Sequence, residues 1–205
     1  MHSMTTARRT QQERRDLAEN ALLTAAAELV AEQGVRSLTL ARVGERAGYS
    51  RGLVTHHFGS KQGLVEHLAR SAQSGFVPGL GDLPPGLDRL LRLIDGYIAA
   101  LGSMNLRNKV FLMLWAESAT LPELVPIFHE RAEVFLADLR EDLTAGIADG
   151  TVHPGVAPEE TAIAVFGQLR GIGLQRLLDP GLVDTERLRG PVTAHWHRAL
   201  TRHSS

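Results

Sequence analysis

Cysteine is absent from this 205-residue chain. That excludes a disulfide framework, a thiolate metal site and a cysteine nucleophile together. No apolar run approaches the roughly 18 residues needed to cross a bilayer. The opening MHSMTTARRTQQERR has no apolar stretch of the kind a signal peptide uses, so a cytoplasmic protein is the expectation. No segment shows the apolar and polar alternation of a half-buried strand. A phosphate-binding P-loop, a dinucleotide-binding glycine fingerprint and a Gly-x-Ser-x-Gly elbow are all missing. Nine histidines are present, and His129 and Glu133 stand one helical turn apart, but no third ligand falls at metal spacing. Neither a metal nor a cofactor is therefore expected.

A strong charge of one sign is missing too, since the net formal charge is -1. The two parts of the chain nevertheless differ. Residues 1–70 hold ten Lys and Arg against seven Asp and Glu, whereas the remainder holds twelve against sixteen. A slightly basic head on an acidic body is the polarity expected of a nucleic-acid reader. A solvated surface produces a difference of that size as well.

What is present is helical period almost throughout, and the fold class expected is all-α. Leu22, Ala25, Ala26, Leu29 and Val30 share one face between Asp16 and Gln33, and Gly34 is placed to end that helix in a left-handed conformation. Thr39 is an N-cap for a second helix reaching Ala47, with Leu40 and Val43 inward. Gly48 supplies a turn, Ser50 caps a third helix with Val54 and Phe58 inward, and Ser60 caps a fourth running to about residue 74. Two short helices joined by a tight turn are what is needed to place one helix in the major groove of DNA.

The Gly- and Pro-rich stretch 75–86 reads as a loop between two parts. The expected organisation is an arm over 1–14, a helix-turn-helix domain over 15–70 and a helical body over 71–205. Within the body, Leu90, Leu91, Ile94, Tyr97, Ile98 and Leu101 recur at helical spacing, followed by a helix over about 105–120 and a longer one ending at Gly150. Pro126 fits the first turn of that longer helix better than its interior. Between Pro158 and Leu178, apolar residues occupy nearly the whole circumference, interrupted by Gly167, Gly171 and Gly173. A helix apolar all round must be covered on several sides. With a last helix over about 185–202, it is read either as monomer core or as a helical pair that meets its symmetry mate. Phe166, Leu169, Gly173, Leu177, Val192 and Trp196 are the candidate dimer residues.

The stretch Thr39 to Lys61 resembles the DNA-binding head of the TetR family of bacterial transcriptional regulators. The resemblance rests on Thr39, Leu40, Val43, Ala47, Gly48, Tyr49, Ser50, Gly52, Val54, His57, Phe58, Ser60, Lys61 and Leu64, matched in register. A looser likeness covers Leu121-Pro122-Glu123-Leu124 and the run from Gly171 to Pro180. Gly44 departs from the usual alanine, which loosens the second helix. Thr55 and His56 replace tyrosines that face DNA in the family.

The resemblance implies a homodimeric, ligand-responsive repressor that binds a palindromic double-stranded operator and is released from it by a small molecule held in the body. The candidate DNA-binding residues are Thr39, Arg42, Ser50, Arg51, Gly52, Thr55, His56, His57 and Lys61, although His57, like Phe58, also reads as a packing residue. Arg51 has reach for guanine, and Lys61 joins its charge to a helix N-terminus that suits phosphate. Gly52 serves either close approach to the duplex or tight packing between helices. Arg8, Arg9, Arg14 and Arg15 form either an arm on DNA or a tail. Phe111, Trp115, Phe128 and Phe166 are candidates to line an effector cavity, with Glu117 or Gln168 as polar anchor and an apolar effector as the expected occupant. The rival readings are a DNA-binding protein without an effector and an all-helical enzyme.

Overall fold

A computed structural model describes residues 10–72, 77 and 79–201. Among them every regular element is helical, and the chain divides into two compact units after Leu68.

In the head, α1 spans Gln11–Gln33, five residues earlier than its apolar face alone suggests. The cause is a capping box. The Thr10 hydroxyl accepts the Glu13 amide at 3.2 Å while the Glu13 carboxylate accepts the Thr10 amide at 2.8 Å. Arg14 and Arg15 therefore belong to α1 and not to an arm, while Arg8 and Arg9 lie outside the described residues. Gly34 ends the helix at φ 79° and ψ 160°, a region open essentially to glycine but not the left-handed helical one expected. α2 (Leu40–Ala47) and α3 (Arg51–Phe58) follow, joined through Gly48 at φ 75° and ψ 27°. α4 is Lys61–Ala72. Leu22, Val30, Leu38, Val43, Val54 and Leu64 have no exposed surface and form the head's core.

Gly44 has a different role from the loosening expected of it. An added Cβ there would stand 2.8 Å from the Tyr49 carbonyl oxygen and 3.3 Å from the Arg51 nitrogen. The Tyr49 amide meanwhile donates to the Gly44 carbonyl at 2.8 Å. The missing side chain lets the turn lie directly on α2, and so fixes where α3 begins.

The body comprises α5 (Leu87–Ser103), α6 (Leu106–Glu117), α7 (Val125–Asp149), α8 (Pro158–Leu178) and α9 (Thr185–Thr201). Pro126 occupies the first turn of α7, after a short 3-10 turn over Pro122–Leu124. α5 is central, packing on α7, α8 and α9. Its inner face buries Leu90, Ile94, Tyr97, Ile98 and Leu101. Its start is fastened by buried Asp142, which accepts the Gly86 amide at 3.0 Å and the Arg89 Nε at 2.5 Å. Burial pushes the Asp142 carboxyl above the usual carboxylate range, and those two donors oppose the rise.

α8 is covered less completely than its composition suggests. Ala162, Val165, Leu169 and Gly173 form a buried stripe at spacings of three and four, whereas Ile163 is 60% and Leu178 83% exposed. Gly167 and Gly171 have open space where a Cβ would be. Leu169, Gly173 and Val192 are thus interior residues of this chain and are withdrawn as dimer contacts. Gly173 is small because α6 crosses there, with Leu112 Cδ2 standing 3.0 Å from where its Cβ would be. Phe166, Leu177 and Trp196 are half-buried.

Candidate nucleic-acid interface and ligand site

The short α3 separates its side chains cleanly. Val54 and Phe58 point into the head core, while Arg51, Gly52, Thr55 and His56 are exposed. Ser50 holds the helix start by accepting the Leu53 amide at 3.2 Å, so its hydroxyl serves as a cap. Thr55 donates its hydroxyl to the Arg51 carbonyl at 3.1 Å while the residue stays exposed. Among the described residues the Arg51 guanidinium makes no hydrogen bond or ion pair.

His57 does not belong to this face. Its side chain is 3% exposed, with Nδ1 buried, 3.8 Å from a Glu19 carboxylate oxygen and without a hydrogen bond. It follows Val54 by three residues, which returns it to the buried side of the helix. It is corrected from a DNA candidate to a packing residue beside Phe58.

Two other candidates are already engaged. Arg42 donates to the Ser37 carbonyl at 2.8 Å and to Gln33 Oε1 at 2.6 Å. Lys61 Nζ donates to the Arg36 carbonyl at 2.9 Å, which leaves two of its three N–H groups for another acceptor. Thr39 caps α2 by accepting the Arg42 amide at 3.3 Å. Arg46, not singled out in the sequence, pairs with Glu32 and Glu28 of α1 and so locks α2 in place.

Gly52 has room. The nearest atom to an added Cβ is Ser50 Oγ at 3.7 Å, ordinary contact, so packing between helices does not require glycine there. Gly52→Ala is therefore expected to stabilise the head by up to about 1 kcal/mol through helix propensity, and to weaken operator binding because the methyl stands on the exposed face. Denaturation and operator titration of the same protein check this. Unchanged operator affinity would remove the close-approach role.

In the body, three of the expected cavity residues, Phe111, Trp115 and Phe166, surround the guanidinium of Arg170, with ring centroids 4.6, 5.9 and 5.0 Å from its central carbon. Phe128 stacks behind Phe111 at 5.6 Å. Glu117 accepts from Thr120 at the end of α6, and Gln168 is exposed, its amide oxygen taking the Trp196 Nε1 proton at 2.6 Å. Glu117 is half-buried at the end of α6, and Gln168 is on the exposed side of α8.

Arg170, Tyr97, Phe135 and Arg131 were not among the sequence candidates. Arg170 is buried and donates to the Tyr97 hydroxyl at 2.8 Å. Burial pulls the guanidinium below its usual range and pushes the Tyr97 phenol above its own. The signal available was an arginine one residue after Leu169, near the middle of a segment rich in apolar residues. Close by, a cavity of about 300 Å³ is lined by Leu80, Leu93, Arg131, Phe135, Asp138 and Asp142, among others. His129 and Glu133 are exposed, and no group of three metal-ligating side chains forms among the described residues. No single described helix is long and apolar enough to cross a membrane.

Comparison with known proteins agrees with this geometry. Residues 22–68 match the family of bacterial regulatory proteins, tetR family, and residues 86–201 match the BetI-type transcriptional repressor C-terminal family. The chain is 29% identical over 189 residues to the HTH-type transcriptional regulator BetI of Escherichia coli, spanning 89% of each protein. Among solved structures it is similar to NalD, the secondary repressor of the MexAB-OprM multidrug efflux pump in Pseudomonas aeruginosa, with TM-score 0.74, 23% identity, and 92% of this chain and 98% of that one covered. It also resembles AibR in complex with isovaleryl coenzyme A and operator DNA, with TM-score 0.71, 17% identity, and coverage of 87% and 97%. With the body match alone spanning more than half of its length, the chain belongs to the TetR family, as a helix-turn-helix transcriptional repressor whose C-terminal body is of the BetI type.

Proposed function

We propose that α3 reads the operator through Arg51, Thr55 and His56, with the Gly52 backbone close to the duplex, while Thr39, Arg42 and Lys61 hold phosphates. The observation that carries this reading is the uninterrupted exposed face of α3, whose cation has no partner among the described residues. Lys61 and Arg42 add charge that the Arg36 and Ser37 carbonyls hold in place near the same helix. Phosphate contacts set register, and base-edge contacts set sequence preference.

The repressor acts as a dimer on a palindromic site, with half-site centres about 34–36 Å apart or a multiple of that distance. The outer face of α8, with Ile163, Gly167, Gly171 and Leu178, is the surface proposed to meet the second copy. Its exposed apolar side chains and two unobstructed glycines support close helix approach. Leu178→Glu combined with Ile163→Glu is expected to give a monomer in sedimentation velocity and to reduce operator affinity at least tenfold. A dimer unchanged by both charges would sink this assignment.

Selection of bound sites from random DNA with the purified protein tests the head. The wild type is expected to enrich a palindrome. Arg51→Ala is expected to relax preference at one base pair per half-site, worth about 1–3 kcal/mol, whereas Lys61→Ala lowers affinity for every sequence. Enrichment of the same sites by wild type and Arg51→Ala would defeat the reading-face assignment.

The body is proposed as a receptor for a small organic molecule and not as an enzyme, acting in the cytoplasm where its DNA partner is. The cavity beside Phe135 supports this, as does a structural neighbour caught with both a small molecule and operator DNA. Release requires the effector to favour the conformation that does not fit DNA, with a coupling of about 1–3 kcal/mol.

A further inference from the structure

Among the described residues, the interior of the body holds a charge without a counter-charge, that of Arg170. Arg170 is 5% exposed, and its guanidinium carbon lies within 5.9 Å of five ring centroids, those of Tyr97, Phe111, Trp115, Phe135 and Phe166. One Nη donates to the Tyr97 hydroxyl, and the buried Nε has no hydrogen-bond partner. Among the described residues no carboxylate forms an ion pair with it. The other fixed charge that acts on it is a second cation, Arg131. An arginine keeps its proton at any physiological pH, so it cannot escape by becoming neutral. Aromatic faces attract a cation, but they offer little to an N–H group that seeks an acceptor.

The cavity of about 300 Å³ adjoins this cluster. Phe135 lines it and also borders the Arg170 guanidinium, at 5.7 Å, so that ring is the partition between the two. Leu80, Leu93 and Phe135 give the cavity an apolar wall. Its charged residues balance: Asp142 is held by Arg89 and the Gly86 amide, while exposed Asp138 and half-buried Arg131 carry opposite signs. The unbalanced positive charge behind the partition therefore sets the preference of the site.

We infer that the effector is an organic anion with an apolar tail, whose carboxylate enters beside Arg131 and pairs with Arg170 once the Phe135 ring turns aside. This rests on the reading of the body as a receptor. An organic cation is disfavoured because the aromatic box that would hold it already holds the guanidinium. A purely apolar molecule would leave the Nε group as unsatisfied as before.

Isothermal titration of the full-length protein at fixed ionic strength tests the inference with three probes of one length, hexanoate, hexanamide and hexyltrimethylammonium, and with the carboxylate series from acetate to decanoate. Carboxylates are expected to bind best, the amide about 10- to 100-fold more weakly, as loss of a charge-assisted bond implies, and the ammonium not measurably. Arg170→Met is expected to keep its helical circular dichroism and lose the carboxylate preference. Arg170→Lys, which keeps charge without the planar fork, should fall between. Equal binding of amide or ammonium, undiminished carboxylate binding by Arg170→Met, or no binding by any carboxylate overturns the anion site. Operator titration separates the two levels. A carboxylate that binds through Arg170 without changing operator affinity upholds the anion site and removes the effector reading, whereas an ammonium that releases DNA does the reverse.

Discussion

Gly63→Ala is expected to destabilise the head by about 1–3 kcal/mol, the cost of forcing a methyl into a packed interior, even though alanine is the better helix former by about 1 kcal/mol. Gly63 lies in the first turn of α4, where an added Cβ would fall inside contact distance of the Phe58 carbonyl oxygen and 3.3 Å from its carbon. That oxygen is not free to move. It accepts the Ser60 amide at 2.8 Å and belongs to the residue that seats α3 in the core. The Gly63 amide is itself taken by Ser60 Oγ at 3.0 Å, so the glycine is fixed from both sides. Relief would have to come from α3 lifting relative to α4, which shifts Arg51 and Thr55. Urea denaturation should therefore show lower stability, and operator titration should show an affinity loss larger than the fraction unfolded explains. The contrast with Gly52→Ala, expected to have the opposite sign on stability in the same domain, guards against a generic glycine effect. A Gly63→Ala protein as stable as wild type would show that the approach of the two helices is looser than described.

The glycines of the head show what was legible in the sequence. The helices, the turn at Gly48 and the caps at Thr39 and Ser50 follow from local rules: apolar spacing, a left-handed residue, a hydroxyl before a helical run. The roles of Gly44 and Gly63 do not, because the atoms that exclude a side chain belong to another element. His57 was legible as a packing residue, since three residues beyond Val54 is the buried side of any helix, and its place beside the DNA candidates does not hold. Two of the dimer candidates on α8, Leu169 and Gly173, prove to be buried for a similar reason. Leu169 and Gly173 lie on the stripe with Ala162 and Val165, while Ile163, Gly167 and Gly171 lie on the other side, and composition alone does not say which stripe faces inward. Arg42 is half-buried and Lys61 exposed, and their bonds to backbone carbonyls depend on tertiary placement that local rules do not give. Arg170 was hidden by an average. Averaged over a largely apolar segment a single charge carries little weight, and only the positions of α5, α6 and α7 show that five rings surround it.

Tyr97→Phe is expected to destabilise the body by about 2–3 kcal/mol, the range for losing a hydrogen bond to a charged group in the interior. The change removes one oxygen atom and leaves the ring in place against Arg170. What is lost is the acceptor for the guanidinium, at 2.8 Å, in a site where Nε is already without one. Water cannot easily replace it, since both residues are buried. Arg170→Met alone is expected to be neutral or stabilising, because replacing a buried charge by an apolar side chain of similar length removes its desolvation cost, and a thioether suits contact with aromatic rings. The double variant then decides the cause. If the tyrosine hydroxyl matters because it serves the guanidinium, its removal should cost little in the Arg170→Met background, and the cycle should return a coupling of about 1–3 kcal/mol. Urea denaturation of the four proteins, followed by far-ultraviolet circular dichroism, measures it. Equal cost of Tyr97→Phe in both backgrounds would mean that the hydroxyl stabilises the body through some other group, and that Arg170 is tolerated by its rings alone. A positive coupling together with a more stable Arg170→Met protein would show that the body retains a charge that weakens its fold, as expected of a residue kept for a ligand.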